Sequence, residues 1–178
     1  DRFEFRGRAG EQVAVEVVAR RLGSPLDSVL KVEDAHAKLL AVGDDVTEEP
    51  SGLLTHMADS YLLVRLPRNG VYRVSIGDAQ AQGGPEYVYC LRISSPRPDF
   101  ELRVAPASVN LRPGEIVPIL VHAVRKDGFE GPIALELVDV PPGFRLSGAV
   151  IPAGEDSVRL TLCAPYRATP GIVPLRLD

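Results

Sequence analysis

Apolar residues alternate with polar ones along most of the chain. Phe3 and Phe5 share a face in RFEFRG, as do Val13, Val15 and Val17 in QVAVEVV. Leu62, Val64 and Leu66 align in YLLVRL, and Tyr72, Val74 and Ile76 in VYRVSI, with Arg73 and Ser75 opposite them. YVYCLRI places Tyr87, Tyr89, Leu91 and Ile93 together. Successive side chains of an extended chain point to opposite sides, so a period of two predicts a strand with one buried face. RAGE, GSP, RNG and QGGP separate these runs as turns.

SSPRPD then interrupts the pattern at Ser94 to Asp99. Two prolines in four residues end a strand and resist a helix, so a domain boundary is expected here, between residues 1–95 and 99–178. The second half repeats the first half's style. Phe100, Leu102 and Val104 share a face; so do Val117, Ile119, Val121 and Ala123. IALEL, VRLTLC and VPLRL follow, separated by RPGE, KDG, PPG, PAGED and TPG. Such spacing predicts a β-sandwich. Pro118 and Pro174 cannot donate to a ladder and predict edges or bulges.

One stretch reads two ways. From Ser28, a helix N-cap candidate, VLKVEDAHAKLLAV contains good helix formers, yet it also fits strand VLKVED, turn AHAK and strand KLLAV. Pattern alone does not choose.

Composition narrows the class. The 178 residues suit one large domain or two small ones. A hydrophobic share of 45% supports a packed core, and 16 glycines with 16 prolines favour short strands over long helices. A net charge of -4, with the basic residues scattered, argues against a nucleic-acid surface. No apolar run reaches the roughly 20 residues of a membrane helix, so no membrane insertion is expected. The chain starts at Asp1 without initiator Met or signal peptide and is read as part of a longer protein. Cys90 and Cys163 fall in different halves; a disulfide needs Cα atoms within about 7 Å, so two free, buried thiols are expected.

Residues 1–93 resemble the bacterial pre-peptidase C-terminal domain. The likeness rests on an opening aromatic strand, AGEQVAVEV, LDSVLKVED with KLLAVGDD, DSYLLVRLP, NGVYRVSI and the closing YVYCLRI. It implies a jelly-roll-like sandwich beside secreted peptidases and other exported bacterial enzymes, non-catalytic itself, with the collagen-binding domain of clostridial collagenase as a related example. It also decides the ambiguous stretch for strands, although AHAK stands where the family has a glycine-containing turn. Residues 99–178 resemble the immunoglobulin-like domain that follows such modules, through DFELRVAP, VNLRPGE, VRKDGFEGPIALEL, DVPPGF and IPAGEDSVRLTL. RKDGFEGPI is the most specific block and implies a hairpin, with Asp127-Gly128 as its turn and Gly131 supplying backbone freedom.

Candidate chemistry is sparse. Asp27, Asp44, Asp45 and Asp59 each fall at a predicted strand end, and the resemblance places such positions at one rim, where some relatives bind calcium. Calcium needs six to eight converging oxygens; aspartate also favours turns, because its carboxylate accepts nearby backbone N–H groups. Both readings stand. Asp34, Glu48 and Glu49 are expected to be solvated. Adjacent Asp44 and Asp45 point to opposite faces and do not make a glycosidase pair. His36, His56 and His122 lack zinc spacing; His122 is expected on a sheet's outer face and His36 in a turn. No GxSxG, P-loop or GxGxxG occurs, and Asp59 beside Ser60 is not a triad. There is no Trp for a sugar platform; Tyr87 and Tyr89 read as core, Tyr61 as the more exposed ring.

The expectation is an all-β chain of two tandem sandwiches, jelly-roll-like then immunoglobulin-like. Its role would be a non-catalytic accessory or spacer module, extracellular or in the cell envelope. It would partner other domains of the same polypeptide and need no cofactor, calcium at the aspartate rim being the one alternative. A ligand-binding module for glycan or fibrous protein is the alternative, and an enzyme fragment the third.

Overall fold

The period-two patterning becomes antiparallel ladders throughout the computed structural model, which describes residues 1–44, 59–167 and 170–178. The chain divides into two compact units, Asp1–Arg97 and Pro98–Asp178.

The first unit contains β1 (Arg2–Gly7), β2 (Gln12–Val18), β3 (Ser28–Asp34), β4 (Leu39–Gly43), β5 (Tyr61–Arg65), β6 (Gly70–Asp78) and β7 (Cys90–Ser94). Four strands form one sheet in the order β1-β6-β3-β4, and three form the other as β5-β2-β7. The alternating residues meet between them. Val13, Val15 and Val17 of β2, Leu30 and Val32 of β3, and Tyr72, Val74 and Ile76 of β6 are buried in one cluster. Each such side chain stabilises the fold by roughly 1.5–3 kcal/mol relative to exposure.

The ambiguous stretch is a hairpin, with β3 paired to β4 and a bulge at Val32/Glu33. Its turn explains how AHAK dispenses with glycine. Ala37 takes the left-handed conformation (φ 59°), and Asp34 holds the turn by accepting the His36 and Lys38 N–H groups at 2.8 and 3.0 Å. Asp34 is therefore buried, at 3% exposure, and not solvated as its sequence context suggested.

The second unit contains β8 (Asp99–Ala105), β9 (Ile116–Lys126), β10 (Ile133–Ala134), β11 (Leu137–Val138), β12 (Arg145–Ser147), β13 (Val150–Ile151), β14 (Ser157–Cys163) and β15 (Arg176–Leu177). A four-stranded sheet in the order β12-β14-β9-β8 packs against the short ladders β10-β13 and β11-β15. Ile119, Val121, Leu160 and Leu162 from the sheet share a core with Ile133, Leu135 and Ile151.

Three expectations change here. IALEL is not one strand: Leu135 N–H bonds to Ala149 O, while Glu136 exchanges two bonds with Asp178, so the chain switches partner between adjacent residues. RKDGFEGPI turns without forming a hairpin. Asp127 (φ 50°) and Gly128 (φ 78°) are both left-handed and Phe129 N–H reaches Lys126 O at 3.0 Å, but β9 pairs with β8 and β14 while β10 pairs with β13. The turn carries the chain from one layer to the other, and Gly131 serves by closeness, since a Cβ there would meet the Phe129 ring at 3.2 Å. Pro118 lies in the inner strand β9, where β8 ends at Ala105 opposite Leu120, leaving the proline a neighbour on the β14 side alone.

Candidate functional site

Asp59 and Ser60, just ahead of β5, organise one rim of the first unit. Across from them the chain leaves β2 through a short 3₁₀ turn, Arg20–Leu22, whose N-cap residue is Ala19. Alanine has no side-chain oxygen to accept the free N–H groups of a helical start. Asp59 supplies it from forty residues away: Oδ1 accepts from Ala19 N (2.9 Å) and Arg20 N (2.7 Å), and Oδ2 from Arg21 Nε (2.8 Å). Arg21 Nη2 continues to Glu16 Oε1 (2.7 Å), and Glu16 Oε2 accepts from Arg92 Nε (2.9 Å). Asp59 is 2% exposed. Burial pushes its carboxyl upward, but the Arg21 guanidinium and the two N–H groups outweigh this and hold it below the usual carboxylate range.

Ser60 faces the other way. Its N–H donates to Ser28 Oγ (2.9 Å), the two hydroxyls lie 2.7 Å apart, and Ser60 Oγ donates to Asp44 O (2.6 Å), with Ser28 O also in reach. Both serines are fully buried. Ser28 belongs to the four-stranded sheet and Ser60 leads into the three-stranded one, so the pair ties the two layers together. A serine whose proton goes to backbone carbonyls, with the neighbouring carboxylate turned toward backbone N–H groups, is positioned as structure and not activated as a nucleophile.

Three of the sequence-derived acids, Asp27, Asp44 and Asp59, lie beside Ser28 or Ser60 or on a segment bonded to them, and each is used differently. Asp27 offers its backbone: its N–H donates to Asp78 Oδ1 (3.0 Å), and its carbonyl accepts from Ala79 N (2.7 Å). Asp78 Oδ2 accepts from Gln80 and Gln82 N–H, and these contacts hold its carboxyl below the usual range, the Asp27 N–H foremost. Asp44 is exposed and contributes its carbonyl to Ser60. Asp45, Glu48, Glu49 and His56 lie outside the described residues. Among the described residues, no three His, Cys, Asp or Glu side chains cluster as metal ligands. His36 is exposed in the β3–β4 turn, and His122 is half-buried on the opposite face of β9 from Val121 and Ala123.

The second unit has a hub of opposite sign. Arg125, with its side chain 11% exposed, reaches Gly131 O (2.7 Å) and Phe129 O (3.4 Å) through Nη1, Pro152 O (3.0 Å) through Nη2, and Glu155 O through Nη2 (2.8 Å) and Nε (3.1 Å). Asp156 Oδ1 lies 3.4 Å from Nε, and the guanidinium carbon sits 5.4 Å from the Phe129 ring centroid. Five donors in a rigid fork suit a cluster of carbonyls.

Comparison with known proteins adds one relative. Over 77 residues, 43% of this chain, the sequence is 35% identical to a probable subtilase-type serine protease of Deinococcus radiodurans. The match takes up 9% of that protein's length. No family model matches the chain, and no solved structure does.

Other residues correct the sequence reading. Cys90 is exposed and Cys163 half-buried, both free thiols, where two buried ones were expected. Tyr61, expected to be exposed, buries its hydroxyl oxygen. Tyr87 and Tyr89 do pack against the first core. Sequence reasoning missed Asp78 and Arg125. Asp78 stood just after the strand VYRVSI and a glycine, a turn position like those singled out. Arg125 falls on the inward register of β9, two residues after Ala123, where a lone charge among core positions signals a partner.

Proposed function

We propose that this chain is a non-catalytic accessory region of a larger protease-containing bacterial protein that acts outside the cytoplasm. The observation that carries the reading is the 77-residue likeness, which occupies 9% of a probable subtilase-type serine protease and so matches a minor part of a large polypeptide. The geometry agrees: the Asp59, Ser60 and Arg125 side chains are committed to backbone groups of the fold. The resemblance of residues 1–93 to the pre-peptidase C-terminal domain and of residues 99–178 to an immunoglobulin-like domain gives the finer form of the proposal, two independently folding sandwiches in tandem.

Three measurements test it. The coding sequence around this region should specify a protease catalytic domain in the same polypeptide. The purified chain should turn over no peptide, ester or glycoside substrate; turnover abolished by Ser60→Ala in a still-folded chain would overturn the reading. Residues 1–97 and 98–178, expressed apart, should each unfold cooperatively.

A further inference from the structure

β9 is apolar on both faces. Val117, Ile119, Val121 and Ala123 point into the second core, as any half-buried strand requires. The opposite register carries Ile116, Pro118, Leu120, His122 and Val124, four of them apolar. Ile116 is 62% exposed and Pro118 is exposed, while Leu120 and Val124 are half-buried. Near-continuous apolar runs belong to strands covered on both sides. The corresponding central strand of the first unit is built differently, since the outward register of β6 carries Arg73 and Ser75.

The registers place cations along one border of this stripe. Arg159 of β14 pairs with Leu120, and Arg145 of β12 pairs with Cys163, which pairs in turn with Ile116. On the other side β8 sets Arg103 opposite His122, Glu101 opposite Val124 and Asp99 opposite Lys126. Glu101 is engaged by Arg103 and Lys126, so that border is mixed in charge. The basic border along β12 and β14 runs against the composition of residues 98–178, which hold eight Lys and Arg to ten Asp and Glu.

We propose that the outer face of the β12-β14-β9-β8 sheet is a docking surface for an acidic protein partner, one presenting an aliphatic strip with carboxylates along one side. Aliphatic side chains make dry contacts with their like, and Arg145 and Arg159 along the β12 and β14 side set the register and reject a basic competitor. A protein is favoured over a glycan because the stripe offers no aromatic ring for a sugar face.

Cys163 supplies the readout, for it sits half-buried on this face between Arg145 and Ile116, while exposed Cys90 belongs to the other unit and serves as reference in the same molecule. The probe is a synthetic peptide alternating glutamate with valine, and its counterpart with lysine in place of glutamate. With the full chain, the acidic peptide should slow Cys163 alkylation several-fold and leave Cys90 unchanged, and the lysine peptide should not. Arg145→Glu with Arg159→Glu should reverse the preference, and Leu120→Lys should remove protection by the acidic peptide, each in a chain with unchanged circular dichroism. No protection at saturating peptide, or equal protection by both peptides, would overturn the proposal. So would protection that rises with the chain's own concentration, which would assign the face to a second copy.

Discussion

The two units hold their loops with charges of opposite sign. In the first, the Asp59 carboxylate gathers backbone N–H groups and Arg21; in the second, the Arg125 guanidinium gathers four backbone carbonyls. The difference follows from what each loop leaves unsatisfied. A 3₁₀ turn entered through alanine exposes donors, so it needs an anion. The irregular segments around Phe129, Gly131, Pro152 and Glu155 expose acceptors, so they need a cation with several N–H groups. A charge in a sandwich of this kind therefore reports the polarity of the backbone it faces before it reports any chemistry on a substrate.

Removing the anion should have the largest effect. Asp59→Ala leaves the buried Ala19 N–H, the part-buried Arg20 N–H and the Arg21 Nε without their acceptor, and should cost about 3 kcal/mol in urea unfolding of the whole chain. Hydrogen exchange should accelerate in β2 and β5 and stay unchanged in β9 and β14. Acid should act in the same place. The folded carboxyl sits below its ordinary value, so its contribution is fully present above the unfolded pKa of about 3.9 and drains as the pH falls through the lower folded value. Asp59→Asn should flatten that part of the acid profile. A profile identical to that of the unsubstituted chain would show that other carboxyls govern it.

Arg125→Met comes next, at roughly 2 kcal/mol, because it keeps the stem's packing and removes the bonds to partly solvated carbonyls. Faster exchange should appear around residues 129–131 and 152–155. An effect as large in the first unit would break the separation of the two hubs. Gly128→Val should cost about 1–2 kcal/mol, since a β-branched residue resists a φ of 78°. Unchanged stability would mean the turn relaxes without loss. The smallest change runs the other way: Ala37→Gly should stabilise by about 0.5 kcal/mol, the relief of left-handed strain exceeding the added freedom of the unfolded chain.

These residues show what a pattern of apolar positions can and cannot convey. Val13, Val15 and Val17, or Tyr72, Val74 and Ile76, announce their buried face locally, because the period of a strand is a property of neighbouring residues. Asp127-Gly128 announces a turn for the same reason. Which strands that turn joins is a long-range fact, and the local pattern of a hairpin does not reveal that β10 pairs with β13 instead of β9. Asp59 looked like a turn residue or a calcium ligand, but its partners lie 38 to 40 positions earlier, and nothing near it in sequence names them. Pro118 read as an edge, and the structure supplies edge conditions inside a central strand by stopping β8 early.

The pairing of β2 with β7 has a consequence for biosynthesis. β2 ends at Val18, and its partner spans Cys90–Ser94, so more than seventy residues must leave the ribosome between them. Until then the valine face of β2 lacks the neighbour that completes its layer, and the nascent chain carries open apolar ribbons. Distant pairings form slowly and leave unpaired edges prone to aggregation. Ribosome-bound chains truncated before residue 90 should therefore remain chaperone clients, and release should follow closely on the emergence of Ser94.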